Sequence, residues 1–127
     1  GYFVFVSPDA SLLVSLLLTL AASGLNGQNF AFVGYLPQDA SERAQRVRTL
    51  EALALKNGQT QLFIETPYRN AALWQALLQT LQPSTQLTCA AGLTLAQASI
   101  HTRSASQWRG HAIPVDNRTP AVFAIGG

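Results

Sequence analysis

From Ala10 to Ala22 the chain reads "ASLLVSLLLTLAA", an uncharged apolar run interrupted by a hydroxyl at every fourth position. This run constrains the fold more than any other segment, because it must be an address label, a membrane span or a buried helix. A secretory signal needs basic residues ahead of its apolar core, and the first basic residue here is Arg43. A membrane helix needs about 20 apolar residues, and this run is shorter. Ser11, Ser15, Thr19 and Ser23 fall on one face of a helix, with Leu12, Leu13, Leu16, Leu17 and Leu20 on the others. The spacing predicts a core helix covered on more than one side, with the hydroxyl stripe as a close-packing seam. Gly24 ends it and Asn26-Gly27 turns the chain. The chain is expected to be cytoplasmic, with no membrane partner.

The rest alternates strands and helices. "YFVFV" (Tyr2–Val6) reads as a strand, and "FAFVGYLP" (Phe30–Pro37) as another that ends in a Gly-to-Pro loop. Gln38 to Gly58 reads as an amphipathic helix. Asp39 or Ser41 caps it, Leu50, Leu53 and Leu55 form its apolar side, and Glu42 pairs with Arg46. "TQLFIE" (Thr60–Glu65) is a strand, and Asn70–Leu81 a helix stopped by Gln82-Pro83-Ser84. "QLTCAAGLT", "ASIHTRS" and "PAVFAIG" are strands, with a helical turn at "ASQWRG". This order implies an α/β domain over residues 1–127, with helices packed on a mixed five-stranded sheet. Residues 1–9 would form an additional N-terminal strand.

Composition narrows the function classes. Charged residues are 11% of the 127 and hydrophobic ones 48%, whereas a typical domain is roughly a quarter charged. Much of the surface is therefore neutral or apolar, and a covering partner is expected. A net charge of +2 is too small to imply nucleic-acid binding by itself. Cys89 is the single cysteine and sits in an apolar run, so a buried inert thiol is expected. His101 and His111 share no metal-ligand spacing with Cys, Asp or Glu, and no metal is expected.

Ligands of open α/β sheets gather beyond the carboxyl ends of the strands. Two strand exits are chemically distinctive: Gly34-Tyr35-Leu36-Pro37, and Glu65-Thr66-Pro67-Tyr68-Arg69. The second is either a capping and ion-pair cluster or a ligand site at a helix start. Arg43, Arg46 and Arg48 form either a solvated helix face or a contact for RNA phosphates.

Three segments, "LAASGLNGQNFAFVGYLP", "LFIETPYRNAALWQALLQTL" and "TPAVFAI", resemble the C-terminal half of the tetrapyrrole methylase superfamily. The similarity is to the bacterial branch that includes the ribosomal RNA 2′-O-ribose methyltransferase of the small subunit. Ser23-Gly24, then Phe30, Phe32, Gly34, Tyr35, Leu36 and Pro37, match one motif of that branch. Glu65, Pro67, Tyr68 and Arg69 match a Glu-x-Pro-His-Arg motif, with Tyr68 in the place of His. The resemblance runs from about Leu16 to Ile125. The family's Pro-Gly-x-Ser turn is matched only loosely by "VSPDASLLVS".

The resemblance implies S-adenosylmethionine as cofactor. It places Tyr35, Leu36, Pro37, Glu65, Thr66, Pro67, Tyr68, Arg69, Leu93, Thr94, Thr119, Pro120 and Ala121 along one wall of the cofactor cleft. Glu65 becomes either the base for a ribose hydroxyl acceptor or a scaffold partner of Arg69. It also implies that the N-terminal half, with its Gly-rich loop, is missing from this chain, which alone would be inactive. The expected partner is that lobe or a second copy in a homodimer. The methyl acceptor is ribosomal RNA, a tetrapyrrole or another small molecule. A stand-alone oligomerisation module without catalytic activity is the alternative.

Overall fold

Parallel strands need a long crossover between them, and the segment from Phe30 to Ile64 supplies one. The computed structural model describes residues 8–92 and 99–127. Its elements are α1 (Pro8–Ser23), β1 (Phe30–Tyr35), α2 (Ala40–Asn57), β2 (Thr60–Ile64), α3 (Asn70–Thr80), β3 (Gln86–Ala91), β4 (Ser99–Ser104), α4 (Ala105–Arg109) and β5 (Ala121–Gly126). A 3-10 turn at Pro67–Arg69 leads into α3. The strand expected at Tyr2–Val6 lies outside the described residues, as do Leu93 and Thr94.

The fold is α/β with one mixed five-stranded sheet of order β1-β2-β5-β3-β4. β1 and β2 are parallel, joined through α2. β5 inserts antiparallel between β2 and β3, and β4 pairs antiparallel with β3 at the edge. Every residue of β5 is buried, as its central place requires. Its side chains alternate between two cores. Phe123 and Ile125 join Trp74, Trp108, Phe63, Leu50 and Leu73 beneath α2, α3 and α4. Val122 and Ala124 join Leu16, Leu20, Leu62 and Ala90 beneath α1. The result is three layers, with helices on both faces of the sheet.

Local chemistry explains α2. Asp39 caps it, accepting from the Glu42 amide at 2.9 Å, and Gly58 closes it at φ 64°. Its buried residues are Val47, Leu50, Glu51 and Ala54, the i, i+3, i+4, i+7 set of one helix face. The expected apolar side is therefore corrected: Leu55 is 42% exposed, and Glu51 occupies the core face. Glu51 Oε2 accepts from the Gln82 amide at 2.8 Å and from Thr85 Oγ1 at 2.7 Å, closing the turn after α3. Among the described residues no ion pair joins Glu42 to Arg46.

α1 is also corrected. It packs on the sheet over β4 and β5, so Leu16, Thr19, Leu20 and Ser23 are buried, but Leu17 and Leu18 remain 45% and 38% exposed. Among the described residues nothing covers Leu17 and Leu18 on the outer side of the helix. Of the hydroxyl stripe, Thr19 and Ser23 are buried toward the sheet. Ser23 Oγ donates to the Leu20 carbonyl at 2.7 Å, and the Ser23 carbonyl accepts from Thr102 Oγ1 at 2.7 Å. No helix among the described residues is long and apolar enough to cross a membrane.

Candidate functional site

Sheet topology gathers one set of loops at one edge. β1 and β2 run parallel, so their carboxyl ends coincide. Pairing of Ile64 with Val122 brings Pro120 and Ala121 to the same end, and pairing of Ala91 with Ala121 brings Gly92 there. The Gly92 amide donates to the Pro120 carbonyl at 3.1 Å, joining two of these segments. Together with the α1 residues Leu12, Ser15 and Thr19 they enclose a cavity of about 400 Å³. Ile64, Ala90, Ile100 and Val122 give it an apolar floor, while Tyr35, Glu65, Pro67 and Pro120 stand along its wall. Cavities of this size and apolar character hold small organic ligands.

A bulge aims Tyr35 at this cavity. Phe32 pairs with Leu62 and Tyr35 with Ile64, so Val33 and Gly34 together oppose Phe63 alone. Regular alternation would send Tyr35 to the α2 face with Val33, which packs in that core. The extra residue returns it to the α1 face, and Gly34 takes φ 74° with open space around it. Tyr35 is 63% exposed at the cavity mouth.

The same reset turns Leu36 away. Leu36 is buried in the α2-side core and does not line the cavity. Pro37, Thr66, Tyr68, Arg69 and Thr119 do not line the cavity. Glu65, Pro67, Pro120 and Ala121 line it with Tyr35.

Around Glu65 is a polar network. The Glu65 side chain is 1% exposed. Its Oε1 accepts from the Thr66 amide at 2.7 Å and lies 3.7 Å from Arg69 Nη1. Its Oε2 has no hydrogen-bond partner among the described residues. Buried carboxylate oxygens are seldom left unpaired, and this one belongs to a residue that lines the cavity. The Arg69 guanidinium donates to the Tyr68 hydroxyl and lies over that ring, with Cζ 4.6 Å from the centroid. With the Gln38 amide oriented oxygen-inward, Arg69 also donates to it at 2.9 and 3.2 Å. Arg69 thus ties the loop after β1 to the loop after β2.

The segment before β5 is held independently, by residues that the motif reading missed. Asp116 accepts from the amides of Arg118 at 2.9 Å and Thr119 at 2.7 Å, and from Thr119 Oγ1 at 3.2 Å. These bonds, the Arg118 amide first, hold its carboxyl below the ordinary range. Asn117 Oδ1 accepts from the Ala71 amide at 3.0 Å, and buried Asn70 donates to the Thr119 carbonyl at 2.9 Å. Pro120 is thereby fixed beside the start of α3. "DNRTP" carries the signal for such a turn, since Asp and Asn fold back on backbone amides two and three residues on.

No protein-family model matches the sequence, and no curated protein matches it. Among solved structures, the fold superposes on the crystal structure of the methyltransferase CobJ with a TM-score of 0.51. The fold resembles the part of that protein it superposes on. Sequence identity over the superposition is 19%, so the likeness concerns the fold. It covers 87% of this chain and 46% of that one; the chain spans about half the length of CobJ.

Proposed function

We propose that this chain is the C-terminal lobe of an S-adenosylmethionine-dependent methyltransferase of the tetrapyrrole methylase type, and that its cavity is one wall of the cofactor cleft. The observation that carries this reading is the convergence of Tyr35, Glu65, Pro67, Gly92 and Pro120 on one apolar hollow, in a fold that matches under half of a methyltransferase. The motifs Ser23-Gly24, Gly34–Pro37 and Glu65–Arg69 support its finer placement, in the bacterial branch that includes the ribosomal RNA 2′-O-ribose methyltransferase.

When bound, S-adenosylmethionine supplies an activated methyl group, so the protein needs to contribute alignment and a dry surface more than acid–base machinery. In this reading Ile64, Ala90 and Val122 exclude water beneath the adenosyl group. Backbone groups at Gly92 and Pro120–Ala121 orient it, and Glu65 Oε2 accepts a hydrogen bond from a ligand hydroxyl or amine. Arg69 acts as a positioning residue, through Glu65 and Gln38. The companion lobe completes the cleft and covers apolar surface now open to solvent, including Phe30, Phe32 and Leu17.

A chain with one wall of the cleft binds weakly, because the pre-organised site is divided. Calorimetric titration of this chain with S-adenosylhomocysteine is expected to give a Kd on the order of 1 mM. Micromolar binding would overturn the half-site reading, and absence of binding would overturn the cofactor wall itself.

A further inference from the structure

The opposite face of the edge strand carries a second constellation, independent of the cavity. Along β4, Ile100 joins the core beneath α1 and Thr102 bonds to Ser23, so His101 and Arg103 fall on the other face. There a groove of about 310 Å³ is bounded by Ser99, His101, Arg103, Trp108, His111 and Ile113. His101 and His111, which have no sequence relationship to each other, meet in it. We infer that this groove binds the phosphate group of a phosphate ester, with Arg103 clasping the anion and the two imidazoles flanking it.

Arg103 is held ready for this. Its Cζ lies 4.5 Å from the centroid of the Trp108 ring. Trp108 is itself buried, donates from Nε1 to the Leu87 carbonyl at 2.7 Å and meets Trp74 edge-on at 4.9 Å. The stacking partner therefore does not move. Stacking uses the face of a guanidinium and leaves its in-plane N–H groups for a second partner. Among the described residues, no carboxylate forms an ion pair with Arg103. A fixed, unpaired guanidinium edge matches the two-oxygen geometry of a phosphate.

The imidazoles are also placed by their neighbours. His111 Nδ1 lies 2.8 Å from the Gln107 carbonyl. A carbonyl only accepts, so Nδ1 carries the hydrogen and Nε2 is left for a ligand. α4, which carries Trp108 and leads into His111, is fixed by a reciprocal capping box between Ser104 and Gln107. His101 Nε2 lies 2.8 Å from Ser99 Oγ. Three groups from three separate backbone positions suit a tetrahedral anion better than a planar carboxylate. The groove is larger than phosphate alone, and the exposed Ile113 with Pro114 offers an apolar rim for the organic part of an ester.

The test is a titration of the chain with inorganic phosphate and with ribose 5-phosphate at constant ionic strength, following the imidazole signals and the Trp108 indole N–H by NMR. Saturable shifts with a Kd on the order of 1 mM are expected. Arg103→Gln is expected to weaken binding at least about tenfold, and Arg118→Gln to leave it unchanged. Should Arg103→Gln fail to fold, His111→Gln, at an exposed position, is expected to weaken binding about threefold. A single-stranded trinucleotide binding about tenfold tighter than ribose 5-phosphate identifies a nucleic-acid strand as the phosphate source; equal affinity identifies a free ester. Both outcomes uphold the site. Absence of saturable shifts, unchanged affinity in the folded variants, or tighter binding of malonate than of phosphate would overturn it.

Discussion

Arg69 Nη1 stands 3.7 Å from the buried carboxylate of Glu65, while the same guanidinium donates to Gln38 at 2.9 and 3.2 Å. One side chain therefore couples both strand exits that shape the cavity. Among the described residues, the partners of the almost wholly buried Glu65 side chain are this guanidinium and the Thr66 amide.

Arg69→Ala is expected to destabilise the fold by about 1–3 kcal/mol, since it leaves a buried carboxylate with one partner fewer. Arg69→Lys restores the charge without the fork, and is expected to recover only part of the loss. Urea unfolding of the three proteins measures this, and equal midpoints would contradict the coupling.

Glu51 offers a second, separable test. Both donors that close the turn after α3 converge on its Oε2. Glu51→Ala strands a backbone amide and a hydroxyl in the interior and is expected to cost about 2–4 kcal/mol. Glu51→Gln keeps an oxygen that accepts both bonds and is expected to cost roughly 1 kcal/mol or less. Denaturation midpoints in that order support the role; a reversed order contradicts it.

Burial pushes the Cys89 thiol up to about 12 from an ordinary value of 9.0. The folded chain thus holds this proton more tightly than the unfolded one. The associated stability is present below about pH 9 and is lost as pH rises toward 12. A thiol-specific disulfide reagent at pH 8 is expected to react only as fast as the chain unfolds. Rapid reaction of the folded protein would contradict this burial.

Asp116 has the opposite sign. Its carboxyl lies below the ordinary 3.8, so the order it imposes is present above that value and is lost as pH falls through the folded value. Asp116→Ala, which removes the acceptor of both amides, is expected to speed hydrogen exchange of the Arg118 and Thr119 amides at neutral pH while leaving that of β3 unchanged. Unaltered exchange at Thr119 would contradict the anchoring of Pro120.

Much of the architecture was legible in the residues. The Asp39 cap, the Gly58 stop and the break at Pro83 act within a few residues of chain, and each appears where local chemistry puts it. What was not legible depends on distant partners. Glu51 faces the core because Gln82 and Thr85, more than 30 residues away, meet it there; counting leucines pointed to Leu55 instead. Tyr35 and Leu36 exchange faces because of a bulge that is defined only by pairing with β2. α1 is apolar nearly all round, yet sequence alone does not say which side lacks a neighbour. His101 and His111 meet only because α4 folds back on β4.

In the function proposed above, the exits of β1, β2 and β3, with the entry of β5, form one wall of an adenosyl-binding cleft. Amide chemical-shift mapping of this chain during titration with S-adenosylhomocysteine tests it most directly. The account predicts shifts concentrated at Tyr35, Thr66, Gly92 and Ala121, with those of α2 and α4 unmoved. Shifts confined to α2 or to the β4 groove, with the cavity amides silent, would contradict it.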